Sequence, residues 1–85
     1  MKLAKYVKFR QEKFGGVLFE TRSEKVYALN PTAAAVVREI KAGTPEAEIP
    51  ARLEAEYAAQ DGERIGKEAR AFTQRLREQG LVDES

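Results

Sequence analysis

The sequence predicts an α+β domain in which a three-stranded antiparallel sheet is followed by three helices. Three observations carry this reading. Apolar residues alternate with a period of two as far as Leu29, then recur at helical spacing after Asn30. The connections between the first three apolar runs are too short for parallel crossovers, which leaves an antiparallel meander. The 85 residues, 42% hydrophobic and 34% charged, suit one globular domain over 1–85, with no repeat, linker or low-complexity segment.

The first strand is Tyr6-Val7-Lys8-Phe9-Arg10, where Val7 and Phe9 alternate with Lys8 and Arg10. Gly15-Gly16 reads as the hairpin turn, since it lacks the Lys and Ser/Thr of a phosphate-binding loop and precedes a strand. Val17-Leu18-Phe19-Glu20-Thr21 is the second strand, Arg22-Ser23-Glu24-Lys25 a polar turn, and Val26-Tyr27-Ala28-Leu29 the third. Asn30-Pro31 then starts a helix, because Asn caps well and Pro lacks only an N–H that the first turn leaves unused. Ala33, Val36, Val37 and Ile40 form its apolar side, and Gly43 can close it. Thr44-Pro45 repeats the signal before Ile49, Leu53 and Tyr57. Pro50 predicts that this second helix is kinked early or starts late. Asp61 can cap a third helix with a buried stripe of Ile65, Ala69, Phe72 and Leu76. Gly80 ends it, and Leu81 can fold back on its last turn. Strands are thus expected over about 5–29 and helices over about 31–79.

Composition excludes much chemistry. The chain has no Cys, His or Trp, hence no disulfide, thiolate nucleophile, Cys/His zinc site or histidine base, and Ser23 has no histidine to activate it. Glu46, Glu48, Glu54 and Glu56 read as a solvated helix face rather than a metal or acid/base cluster. No enzymatic activity, metal or cofactor is expected. The formal net charge is +1, but residues 1–25 carry a net +4 and residues 26–85 a net −3. No apolar run is long enough for a signal peptide or membrane span, so a cytoplasmic location is expected, with no membrane partner.

In a meander the outer strands are edges, and exposed edges normally carry charged protection. The first strand has Lys5, Lys8 and Arg10. The third offers only Val26, Tyr27, Ala28 and Leu29 between Lys25 and Asn30, so helices cover it or another strand joins it. One flank of the third helix presents Gly66, Arg70, Thr73 and Arg77. If that flank borders the third strand, the groove between them suits an extended peptide with acidic side chains.

These residues resemble the PqqD family, the peptide-recognition domains of ribosomal peptide natural-product pathways. The likeness runs from about Tyr6 to Val82. It rests on Lys13-Phe14-Gly15-Gly16-Val17-Leu18-Phe19, on Val26 to Val37 with its Leu29-Asn30-Pro31-Thr32-Ala33-Ala34 junction, and on Ala71-Phe72 through Leu76 to Gly80-Leu81-Val82. The resemblance implies a winged-helix-like fold that binds the leader part of a precursor peptide. The leader would add as a strand to the third strand, lie against the third helix and be presented to a radical S-adenosylmethionine enzyme that carries the iron–sulfur clusters. Carried onto this sequence, the strand wall is Lys25, Val26, Tyr27, Ala28 and Leu29. The helix wall is drawn from Ile65, Gly66, Ala69, Arg70, Thr73 and Arg77. Positions 70 and 73 are often leucine in relatives, so Arg70 and Thr73 imply a more acidic or polar leader.

A winged-helix nucleic-acid binder is the competing reading. Arg64, Lys67, Arg70, Arg75 and Arg77 lie around much of the third helix and interleave with Asp61, Glu63, Glu68 and Glu78, whereas phosphate binding prefers a clustered face. No nucleic-acid partner is expected. An adaptor that pairs its free edge with itself is a third class, and the chain is expected to be a monomer or weak homodimer.

Overall fold

A computed structural model of the chain describes residues 1–84; Ser85, the last residue of the expected domain, lies outside the described residues. The elements are β1 (Lys2–Leu3), β2 (Val7–Glu12), β3 (Gly15–Glu20), β4 (Lys25–Leu29), α1 (Pro31–Ala42), α2 (Ile49–Glu56), α3 (Ala58–Glu78) and β5 (Val82–Asp83). Strands β2-β3-β4 form an antiparallel meander in that order, and α1, α2 and α3 follow, as expected. Sequence reading misses β1 and β5, which pair Lys2 with Asp83 and Leu3 with Val82. Two-residue strands carry too little alternation to be seen. They bring the ends of the chain together, helped by Ala4 N–H donating to the Leu81 carbonyl at 3.0 Å and the Tyr6 hydroxyl to that of Gly80 at 2.7 Å.

The sheet register fixes two faces. Leu18 lies opposite Phe9 and Tyr27, on the face covered by the helices, and is fully buried. Val17, Phe19, Val26, Lys8 and Arg10 share the other face, where Val26 is 62% exposed. Leu18 joins Val36, Val37, Ile49, Leu53 and Leu76 in the core. Each such side chain contributes roughly 1.5–3 kcal/mol on burial.

The β2–β3 turn is Lys13-Phe14, and Gly15-Gly16 are the first residues of β3 rather than the turn itself. The glycines meet a different demand. Gly15 has φ of +143°, and a Cβ there would collide with the Leu29 carbonyl oxygen at the end of β4. Two conditions thus require glycine at the point where β3 passes the β4–α1 junction.

The helix boundaries follow capping chemistry. Asn30 accepts from Ala33 N–H at 2.8 Å at the start of α1. A 3₁₀ turn (Glu46–Glu48) precedes α2, so α2 starts late and Pro50 falls in its first turn, where an absent N–H breaks no bond. The backbone of α3 breaks at Asp61, whose carboxylate accepts from Arg64 N–H at 3.3 Å, and the regular helix runs from there. Its end is a Schellman closure: Leu81 N–H donates to Leu76 O at 2.9 Å and Gly80 N–H to Arg77 O at 3.1 Å.

Between β3 and β4, the Glu20 carboxylate accepts from Ser23 Oγ, from Arg22 N–H at 2.7 Å and from Ser23 N–H at 3.1 Å. The Ser23 hydroxyl bond holds this carboxyl below its ordinary value, with the two amides and Arg22 adding to it against the effect of burial. Glu39 is lowered chiefly by the Thr44 hydroxyl, with Arg52 adding to it.

Two predictions follow from these contacts. Gly15→Ala will cost about 3 kcal/mol in urea unfolding, because strain and a backbone clash add. Gly80→Ala, with φ of +70° and open space around it, will cost only about 1 kcal/mol. Both carboxyls have lowered folded values, so their stabilisation is full above the ordinary 4.5 and is lost as pH falls through the folded values. The urea midpoint will therefore drop as pH falls below about 4.5, and less steeply in the Glu20→Gln, Glu39→Gln double variant.

Candidate functional site

The edge of the sheet at β4 is open, and backbone pairing shows which groups it offers. Thr21 N–H donates to Tyr6 O at 2.8 Å, one step beyond the Val7–Glu20 pair. Antiparallel alternation then turns the odd-numbered residues of β3 toward β2 and the even-numbered ones toward β4. Lys25, Tyr27 and Leu29 pair with those even residues, so Val26 and Ala28 direct their N–H and C=O groups away from the sheet. Neither donates to nor accepts from the backbone of another element among the described residues. Of the two alternatives open from sequence, covering by the domain's own helices does not hold.

Helix α3 stands beside this edge and leaves a groove. One end is lined by Ala28, Leu29, Asn30, Thr32 and Ala33 opposite Glu68, Ala71, Phe72 and Arg75. The other is lined by Leu18, Tyr27, Ala28, Leu29 and Leu81 opposite Phe72, Arg75, Leu76 and Gln79. Phe72 and Arg75 border both ends. The first end is polar at its rim, and the second has an apolar floor.

The residues expected at the site divide into three sets. Tyr27, Ala28 and Leu29 line the groove, with Val26 on the outer sheet face and Lys25 exposed at the start of the strand. Ile65 and Ala69 are core residues, 4% and 0% exposed. Gly66, Arg70, Thr73 and Arg77 lie on the other flank of α3, against α2 and the 3₁₀ turn, so the condition that this flank borders the third strand does not hold. A Cβ on Gly66 would meet the Glu54 side chain at 2.6 Å. Arg70 lies 3.6 Å from Glu54, and Arg70 and Thr73 share a hollow with Glu46, Ala47 and Pro50. Thr73 donates its hydroxyl to Ala69 O at 2.8 Å. Arg77 is clasped by Glu46 and Glu84, which raise its pKa further above the ordinary arginine value.

The groove residues that sequence reasoning placed elsewhere are Phe72 and Leu76, read as core, and Arg75, read only as a surface charge. A signal for the orientation exists in Gly62 and Gly66. If they carried a Cβ, Gly62 would meet the Glu54 carbonyl at 2.9 Å and Gly66 the Glu54 side chain. The two glycines mark the flank facing α2.

The charges of α3 are largely internal. Arg64 pairs with Asp61 and Glu68, Lys67 with Glu63, Arg70 with Glu54, and Arg77 with Glu46 and Glu84. Arg75 has no carboxylate partner among the described residues. Helix α3 therefore does not present the clustered free cations that phosphate binding requires. Among the described residues no group of three or more His, Cys, Asp or Glu is placed to hold a metal, and no helix is long and apolar enough to cross a membrane.

Comparison with known proteins agrees with this geometry. A solved structure described as TbiB1 in complex with the TbiA(beta) leader peptide shares the fold, with a TM-score of 0.81 over all of this chain and 98% of that chain at 20% identity. A lasso peptide synthetase B1 complexed with the leader peptide matches with a TM-score of 0.77, covering 98% of this chain and 96% of that chain at 26% identity. No curated protein matches. Residues 15–82, from the first glycine of β3 to the start of β5, match the family described as Coenzyme PQQ synthesis protein D, and the chain belongs to that PqqD family.

Proposed function

We propose that this chain binds the leader region of a ribosomally made precursor peptide by strand addition at β4 and presents it to a peptide-modifying enzyme of the radical S-adenosylmethionine type. The observation that carries the binding step is the outward-facing backbone of Val26 and Ala28 beside the groove under α3. A strand added there pairs with groups that nothing else in the fold uses, and main-chain pairing contributes part of the affinity for an extended peptide, the groove the rest. Proteins of the family are non-catalytic binding domains, and so is this chain. Both solved relatives are complexes with leader peptides, which supports the same assignment here. The enzyme type rests on family resemblance and on a chain without Cys or His, which leaves cluster chemistry to a partner.

Strand addition predicts an alternating pattern of amide protection. In the free protein, Val26 and Ala28 amides will exchange quickly while Tyr27 and Leu29 exchange slowly. Adding leader segments of short peptides encoded beside this gene will protect Val26 and Ala28. Uniform protection along β4, or none with any such segment, contradicts the reading. Ala28→Pro removes an outward N–H and will weaken the leader segment that binds by about tenfold or more, with the fold retained by circular dichroism. Unchanged affinity in that folded variant counts equally against it.

A further inference from the structure

We propose that the groove selects an extended segment with an Asp or Glu two residues from a large apolar side chain, and that Arg75 is the group that reads the carboxylate. This rests on strand addition at β4. In an added strand, side chains alternate between faces. Those opposite Tyr27 and Leu29 point into the groove, and those opposite Val26 and Ala28 lie over the outer face. Two inward positions, two residues apart, therefore meet α3.

Their surroundings differ. Beside Tyr27 the groove is floored by Leu18, Leu76 and Leu81, which suits an apolar side chain. Beside Leu29 it is bordered by Asn30, Thr32 and Glu68. Arg75 borders both ends and is the one α3 cation with no carboxylate partner among the described residues. Glu68 does not neutralise it, being paired with Arg64. A peptide lying in the groove removes water from the guanidinium, and an incoming carboxylate offsets that loss with a charge-assisted pair. A neutral side chain leaves the charge covered and unpaired, and a lysine adds repulsion. The acidic preference implied for the ligand thus belongs to Arg75 rather than to Arg70 and Arg77, whose charges are already matched.

The test is selection of binders from a display library of randomised dodecamers against the intact protein, followed by affinity and amide-exchange measurements on the winners. The expected peptides carry Asp or Glu two residues from Leu, Ile, Phe or Tyr, and lose about tenfold in affinity when that acid becomes Gln. Selection against Arg75→Glu will favour Lys or Arg at the same position, and Arg75→Gln will show no charge preference. Lys67→Glu alters net charge equally, away from the groove, and will keep the acidic preference. Winners that protect Val26 and Ala28 but show no acidic bias, or the same bias against Arg75→Glu, overturn this inference and leave strand addition standing. Winners that protect neither amide, or no enrichment at all, overturn strand addition and this inference with it.

Discussion

Close packing of α3 on α2 at Gly62 accompanies the way α3 faces, and the groove proposed to bind peptide depends on that orientation. Without a side chain at Gly62, α3 approaches the Glu54 backbone, Gly66 faces the Glu54 side chain, and the flank carrying Arg70, Thr73 and Arg77 is set against α2 and the 3₁₀ turn. The apolar stripe of Ile65, Ala69 and Leu76 then faces the core. The flank left over, with Phe72, Arg75 and Gln79, is the one that looks toward β4. The Schellman closure at Gly80 and the β1–β5 pairing hold the far end of the helix to the same setting. A contact remote from the groove thus goes with the choice of the groove's side chains.

The same constraint explains what could be read from sequence. Element order was legible because each signal is local: alternation in β2, the Asn30-Pro31 start of α1, Asp61 at the head of the regular α3 helix, and Gly80-Leu81 at its end. The open edge was legible in part, since Val26 to Leu29 carry none of the charges that guard β2. The rotation of α3 was not, because a buried stripe has two flanks and nothing within the helix's apolar periodicity says which neighbour each will meet. Gly66, placed by the family resemblance on a peptide wall, lies instead beside the Glu54 side chain of α2. The Gly15-Gly16 error has a similar origin. The pair signals a turn locally, yet Gly15 answers to the carbonyl of Leu29, fourteen residues away in sequence.

Charge follows the same division between matched and unmatched groups. The helical half carries the excess of acid, and much of it is used internally: Glu39 holds Arg52, Glu54 holds Arg70, and Glu46 and Glu84 hold Arg77. Lys8 and Lys25 on the sheet have no such partners among the described residues, and Arg75 is their counterpart on α3. The near-zero net charge therefore sums a strand half of net +4 and a helical half of net −3.

An open edge is a hazard as well as a site, since any extended chain can pair with it. This fold limits the hazard by geometry. Within β4, only Val26 and Ala28 turn their backbone groups outward, and this edge stops at Asn30, whose carbonyl accepts from Ala34 N–H at 2.9 Å to begin α1. Two residues' worth of main-chain pairing is too little to retain a chance partner, at about 0.5–1.5 kcal/mol net for each hydrogen bond. In the proposed mode a bound segment would also have to satisfy the groove, with an apolar side chain over Leu18, Leu76 and Leu81 and a group compatible with Arg75. In that mode, short pairing makes affinity depend on side-chain fit, which would turn a non-specific edge into a selective one.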